Sequence, residues 1–197
     1  MKRFLAALVL ACVALWAVAP AASAERLKIT KLAEKKVDAL PAGELYWRVE
    51  GYETLAAAQA AAGPYGMAVQ SRDGRAWLFT LGSGGTQGAG RKLAEVGPIA
   101  RFDASQYLLR INEATGMPGD TTSVHSHPGS EAFYVLAGEQ SIRGPHGVQK
   151  VRAGEPSPGN GTAVPMQVTS TGSIPMDSLV MFLLDAGKPF STPAKMP

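Results

Sequence analysis

The chain has 197 residues, 46% of them hydrophobic and 18% charged; this is an ordinary globular composition, long enough for one domain with its own core. Its 22 glycines and 14 prolines favour a turn-rich β fold and argue against a helical bundle. The formal charge of +3 falls to +1 once Lys2 and Arg3 are set aside with a leader, so no basic face remains to recruit nucleic acid.

In chain order, Lys2 and Arg3 precede an apolar run over residues 4–18, and Ala22-Ser23-Ala24 follows as a small-residue cleavage pattern. Residues 1–24 therefore predict a signal peptide, a mature start at Glu25 and a secreted or periplasmic protein. The apolar run is shorter than the ~20 residues needed to span a bilayer, so no membrane association is expected after cleavage. The sole cysteine, Cys12, leaves with the leader, which removes disulfide, thiol and zinc–thiolate chemistry from the mature chain. Residues 25–40, with Lys28, Lys31, Lys35 and Lys36, predict a solvated lead-in able to form a short helix. Residues 45–49 predict a strand. Thr54 predicts the N-cap of an alanine-rich helix over 55–62 that Gly63-Pro64 ends. Residues 67–70 and 76–81 flank Asp73-Gly74 and predict a hairpin. The glycine-rich loop over 82–90 lacks the Gly-Lys-Ser/Thr ending of a phosphate cradle.

From Gln106 onward the predicted strands are short and closely spaced: 107–111, 122–127, 131–137, a hairpin of 140–143 with 148–151, then 163–169 and 178–184. Gly/Pro turns at such spacing suggest a sandwich or barrel. The expected organisation is an extension over 25–105 packed on the barrel, a barrel over 106–187 and a tail over 188–197, with no internal repeat.

The chemistry concentrates at residues 119–138. His125 and His127 are separated by one residue, so a strand projects both from the same face. Pro128-Gly129 turns the chain, and Glu131 opens the next strand facing back. Two imidazoles and a carboxylate suit a divalent first-row metal, and only three histidines occur in the whole sequence. Alternation from Glu131 turns Phe133 and Val135 inward and Tyr134 outward, which makes Phe133 a candidate pocket wall. His146 falls in a hairpin turn, and Trp47 and Trp77 are expected to pack outside the barrel core. There is no Gly-x-Ser-x-Gly elbow for a serine hydrolase and no dinucleotide fingerprint.

This segment resembles the first motif of the cupin superfamily, G-x5-H-x-H-x3-E-x6-G, with Gly119, His125, His127, Glu131 and Gly138 in its fixed positions. The resemblance covers residues 107–185. It implies an all-β cupin double-stranded β-helix, a jelly-roll barrel of RmlC type, behind an N-terminal extension carrying a strand and a short helix. It also implies one divalent metal ion held by His125, His127 and Glu131; iron or manganese is favoured, with copper, zinc or nickel admissible. The second motif, G-x5-P-x-G-x2-H-x3-N, is only partly matched: Gly154 and the turn over 156–159 fit loosely, while Met166 stands where the third histidine belongs and Ser170 where the asparagine belongs. Three outcomes stay open: a two-His-one-carboxylate triad suited to iron and oxygen, a site with the Met166 thioether as a fourth ligand favouring copper, or a pocket without metal. The implied function is an exported, metal-dependent, oxygenase-like enzyme on a small organic molecule; the alternatives are a non-catalytic small-molecule or metal-binding module and an inert storage barrel. A homodimer through sheet edges is compatible with the fold.

Overall fold

A computed structural model describes residues 26–197; the expected leader and the mature start at Glu25 lie outside the described residues. The first element departs from the sequence expectation. Residues 28–37 are neither a solvated lead-in nor a helix but strand β1 (Lys28–Val37), antiparallel to β6 (Tyr107–Gly116) with one irregularity between Lys31 and Ala33. Its lysines misled the reading because strand pairing is a backbone property. β1 is a sheet edge, where charged side chains are favoured because they discourage further strand addition. Glu34 accepts from Arg110 of β6, and Lys35 donates to the Pro64 and Gly66 carbonyls.

The extension is richer than one strand and a helix. β2 (Leu45–Tyr52) leads to α1 (Leu55–Ala61), whose N-cap Thr54 hydroxyl accepts from the Ala57 N–H at 3.1 Å. β3 (Gly66–Gln70) and β4 (Ala76–Gly82) form the expected hairpin across Asp73-Gly74. β5 (Arg91–Ile99) completes a four-stranded sheet in the order β3-β4-β2-β5.

After β6 come β7 (His125–Ser126), β8 (Gly129–Ala137), β9 (Glu139–Gly144), β10 (Gly147–Arg152), β11 (Pro156–Ser157), β12 (Gln167–Ser170), β13 (Met176–Asp185) and β14 (Thr192–Pro193). One sheet runs β1-β6-β13-β8-β11. Facing it, β10-β9-β12 is joined through the His125–Met166 bridge to the β7-β14 pair. Counted from β6, the first, eighth, third and sixth strands make one sheet and the second, seventh, fourth and fifth make the other. That order is a jelly roll. β1 extends the first sheet and β14 the second. Gly138, between β8 and β9, has φ +70°, and a Cβ there would lie 2.8 Å from the Pro175 carbonyl oxygen, so the turn requires glycine.

Three layers result. Leu179, Met181 and Leu183 on one face of β13 pack with Leu109, Ile111, Ala132 and Tyr134 against Trp47, Val49, Trp77 and Phe79 of the four-stranded sheet. On the other face, Met176, Val180, Phe182 and Leu184 meet Phe133, Val135, Ile142, Met166 and Val168 inside the jelly roll. β13 is buried on both faces for that reason, and its sequence is a nearly continuous apolar run. Trp47 and Trp77 lie outside the barrel interior, as expected. Trp47 is fully buried in the middle of the outer interface, so Trp47→Ala should cost about 3–5 kcal/mol of stability; chemical denaturation measures it, and a loss under 1 kcal/mol would mean that the extension is not part of one cooperative fold. Among the described residues, no helix is long and apolar enough to cross a membrane.

Candidate metal and ligand site

Three inward rows cross the first jelly-roll sheet. Glu131 pairs with Phe182 and Phe182 with Arg110; Phe133 pairs with Val180 and Val180 with Asn112; Val135 pairs with Ser178 and Ser178 with Ala114. The strand period therefore places Glu131 and Phe133 on one wall, one row apart. β7 is only two residues long, but the two backbone hydrogen bonds between His125 and Met166, of 3.0 and 2.8 Å, anchor it to the opposite sheet. His125, His127, Glu131 and Phe133 all line one cavity of about 220 Å³ between the sheets.

Each imidazole is oriented by a backbone carbonyl. His125 Nδ1 lies 2.8 Å from the Ser123 carbonyl oxygen, and His127 Nδ1 lies 2.7 Å from that of Phe190. A carbonyl can only accept, so both rings are assigned the tautomer that donates from Nδ1 and leaves the Nε2 lone pair bare. A metal-ligating histidine is held in this way. His127 Nε2 lies 3.8 Å from Glu131 Oε2, and the two imidazole rings stand edge-to-face with centroids 4.9 Å apart. Glu131 Oε1 is buried and has no hydrogen-bond partner among the described residues. Gly159, at φ +61°, presses against this strand: a Cβ there would sit 2.6 Å from the Glu131 carbonyl oxygen. A side chain at 159 would therefore push Glu131 out of place.

Burial sets the protonation states. It drives the His127 imidazole down to about 4, outweighing the opposing hydrogen bond to the Phe190 carbonyl. It pushes the Glu131 carboxyl up to about 8. At pH 6 neither group is charged, so their 3.8 Å approach is not an ion pair. The neutral His127 imidazole is already in its metal-binding form, and a cation would favour ionisation of Glu131 into its own. The donor set thus suits a divalent ion by tautomer, by the unpartnered carboxylate oxygen and by ligand type. It is not a finished cage: among the described residues, no three His, Cys, Asp or Glu side chains are gathered closely enough to hold an ion. His127 and Glu131 form the near pair, and His125 stands beside them on the cavity wall.

Met166 takes a different place. It lies directly opposite His125 but is 1% exposed and packed in the inner apolar cluster, away from the cavity lining. It acts as wall packing behind the site, and nothing in its surroundings marks it as a fourth ligand. His146 sits in the turn between β9 and β10 beside a separate shallow concavity.

The tail supplies what sequence reasoning missed. β14 pairs with β7, with Thr192 opposite Ser126 and Pro193 opposite His125. Phe190 and Ser191 line the cavity. The Phe190 ring lies edge-on to His127 and Phe182, with centroids 5.0 and 4.9 Å away, and Arg110 stacks on it at 4.0 Å. The one available signal was Phe190, a lone aromatic in a polar tail. A larger concavity, about 920 Å³, lies by the four-stranded sheet and includes Tyr52, Arg75 and Arg91. It contains no histidine, and Arg75 is paired with Asp73; the smaller cavity, where perturbed titratable groups converge, is the better candidate.

No known family model matches the chain, and no curated protein matches it. Parts of it are similar to solved structures. A cupin-like protein from Thermotoga maritima shares 13% identity at TM-score 0.40, over 45% of this chain and 65% of that one. A protein with a double-stranded β-helix domain from Klebsiella pneumoniae shares 19% at TM-score 0.38, over 44% and 75%. A polyketide cyclase from Streptomyces resistomycificus shares 20% at TM-score 0.37, over 45% and 62%. The chain spans less than two thirds of the length of the first and third of these. The fold assignment rests on the strand order itself.

Proposed function

We propose that the chain is an exported jelly-roll protein that binds one divalent metal ion and a small organic ligand in the barrel cavity, with oxygenase-like chemistry on that ligand as its activity. The observation that carries the reading is the pair of imidazoles with Nδ1 tied to carbonyl oxygens at 2.8 and 2.7 Å, both lining one cavity with a buried carboxyl that His127 Nε2 approaches at 3.8 Å and whose Oε1 has no partner among the described residues. His127 and Glu131 form the primary pair, and His125 joins by a side-chain rotation. An iron or manganese ion held by two imidazoles and a carboxylate keeps open positions for oxygen and substrate. The chain's own contribution is placement: Phe133, Val180 and Phe182 give an apolar wall that excludes water, and Phe190 covers the mouth.

A second reading is a binding module without turnover. It is favoured by the cavity lining, where among the described residues His125, His127 and Glu131 are the only titratable groups, which leaves none of these for a separate general base once all three hold metal. Both readings predict roughly one metal ion per chain and its loss in His125→Ala/His127→Ala, since coordination depends on these side chains. Elemental analysis of the two proteins checks this, and unchanged metal content in the variant would reject the ligand assignment. Oxygen uptake with a panel of phenols and organic acids then divides the readings: turnover supports the enzyme, and bound metal without turnover supports the module.

A further inference from the structure

Two carboxamides line the same cavity as the histidines. Gln140 of β9 is 0% exposed and Asn112 of β6 is 4% exposed, and both line the cavity that holds Glu131. Gln140 Oε1, Gln140 Nε2 and Asn112 Oδ1 have no hydrogen-bond partner among the described residues. Two further buried hydroxyls lie close by in the two sheets. Ser170 pairs with Gln140 across β12 and β9, Ser178 lies two residues before Val180 on β13, and both hydroxyls are buried without a partner. Buried polar side chains left unpartnered cost about 1–3 kcal/mol each. Gln140 and Asn112, both facing one cavity, mark where a ligand's own polar groups belong.

Building on the reading that this cavity takes a small ligand, we propose that Gln140 and Asn112 select a ligand ending in an uncharged primary carboxamide. The match is one of donors and acceptors. Two acceptor oxygens, Gln140 Oε1 and Asn112 Oδ1, need two N–H donors, and the Gln140 Nε2 donor needs a carbonyl oxygen. A primary carboxamide presents two N–H groups and one carbonyl. A hydroxyl has one hydrogen to donate and leaves one oxygen unpartnered. A carboxylate donates nothing and would bring an unpaired charge into a buried cavity, which is costly. Among the described residues, no lysine or arginine lines the cavity. Arg110, in the row of Glu131 and Phe182, is bonded to Glu34 and stacked on Phe190. At about 220 Å³ the space lies below the roughly 300 Å³ at which drug-sized pockets begin, which limits the ligand to a short chain behind the carboxamide. Phe133 and Val180 would contact that chain, since they share a row across the sheet with Asn112.

Side-chain amide NMR tests this in the metal-free protein, with butanamide, butan-1-ol and butanoate as probes. The Gln140 and Asn112 NH2 resonances should shift with butanamide, at an affinity about tenfold or more above that for butanoate, a difference of about 1.4 kcal/mol. Gln140→Met, close in size and safe for folding, should remove that preference while leaving zinc binding, followed by calorimetry, unchanged. Amide resonances that ignore butanamide, equal affinity for butanoate, or a preference that survives in Gln140→Met would overturn the inference. So would slowly exchanging water found bonded to these amides in the presence of butanamide. The two readings fail separately: butanamide binding without metal binding rejects only the metal, and metal binding with silent amides rejects only the carboxamide.

Discussion

Glu131→Gln should abolish metal binding and at the same time stabilise the metal-free protein at pH 8. The first effect follows because an amide cannot supply the anionic oxygen that a divalent ion needs here. The second follows from linkage. The folded-state carboxyl of Glu131 titrates near 8 against an ordinary 4.5, so between those values the folded state holds a proton that the unfolded chain has lost. Stability therefore falls as pH rises through that window. His127 acts oppositely: its folded value near 4 lies below the ordinary 6.5, so the unfolded chain binds the extra proton and stability rises with pH from about 4 to 6.5. Between pH 4.5 and 6.5 the two slopes offset each other, and from 6.5 to 8 Glu131 acts alone. The difference in melting temperature between Glu131→Gln and the parent should then grow with pH up to about 8, reaching a few kcal/mol in equivalent stability. Thermal scans at half-unit pH steps measure it. A difference independent of pH would show that Glu131 is not held protonated by burial.

Removing residues 188–197 should weaken metal binding about 10- to 100-fold, the usual cost of losing the group that orients a ligating histidine. The deletion takes away the Phe190 carbonyl that accepts from His127 Nδ1 at 2.7 Å and the ring that covers His127 and Phe182. With the cover gone, His127 returns toward the ordinary histidine range, because burial is the largest cause of its depression. Phe190→Ala separates the two contributions: it keeps the backbone carbonyl and loses the ring, so it should raise the His127 titration point while costing less metal affinity than the deletion. Histidine NMR titration and metal calorimetry on both variants read these effects. A truncated protein that binds metal as tightly as the parent would remove the tail from the site.

Features governed by local rules were legible in the sequence. The Thr54 cap, the Asp73-Gly74 hairpin and the inward alternation of Glu131, Phe133 and Val135 follow from propensity, turn chemistry and strand period within a few residues. What escaped notice depends on distant pairing. β1 carries four lysines and becomes a strand because β6 offers it a free edge some 75 residues away in sequence. β5, interrupted by Gly97-Pro98, shows no clean alternation and is recruited by β2. Phe190 and β14 reach the site only because the last residues fold back over β7. Met166 was singled out from motif position alone as pocket lining or a fourth ligand; a backbone bridge sets it opposite His125, and it belongs to the inner apolar cluster, an arrangement that motif position does not convey. The meeting of Gln140 and Asn112 on one cavity could not be read from sequence, because they come from β9 and β6, in two different sheets.

X-ray absorption spectroscopy of the zinc-loaded protein tests the central assignment most directly, because it reports the ligand atoms themselves. Two imidazole nitrogens and a carboxylate oxygen at about 2.0–2.2 Å, with no sulfur near 2.3 Å, are the expected result. A zinc environment lacking imidazole, or one containing the Met166 sulfur, would contradict it.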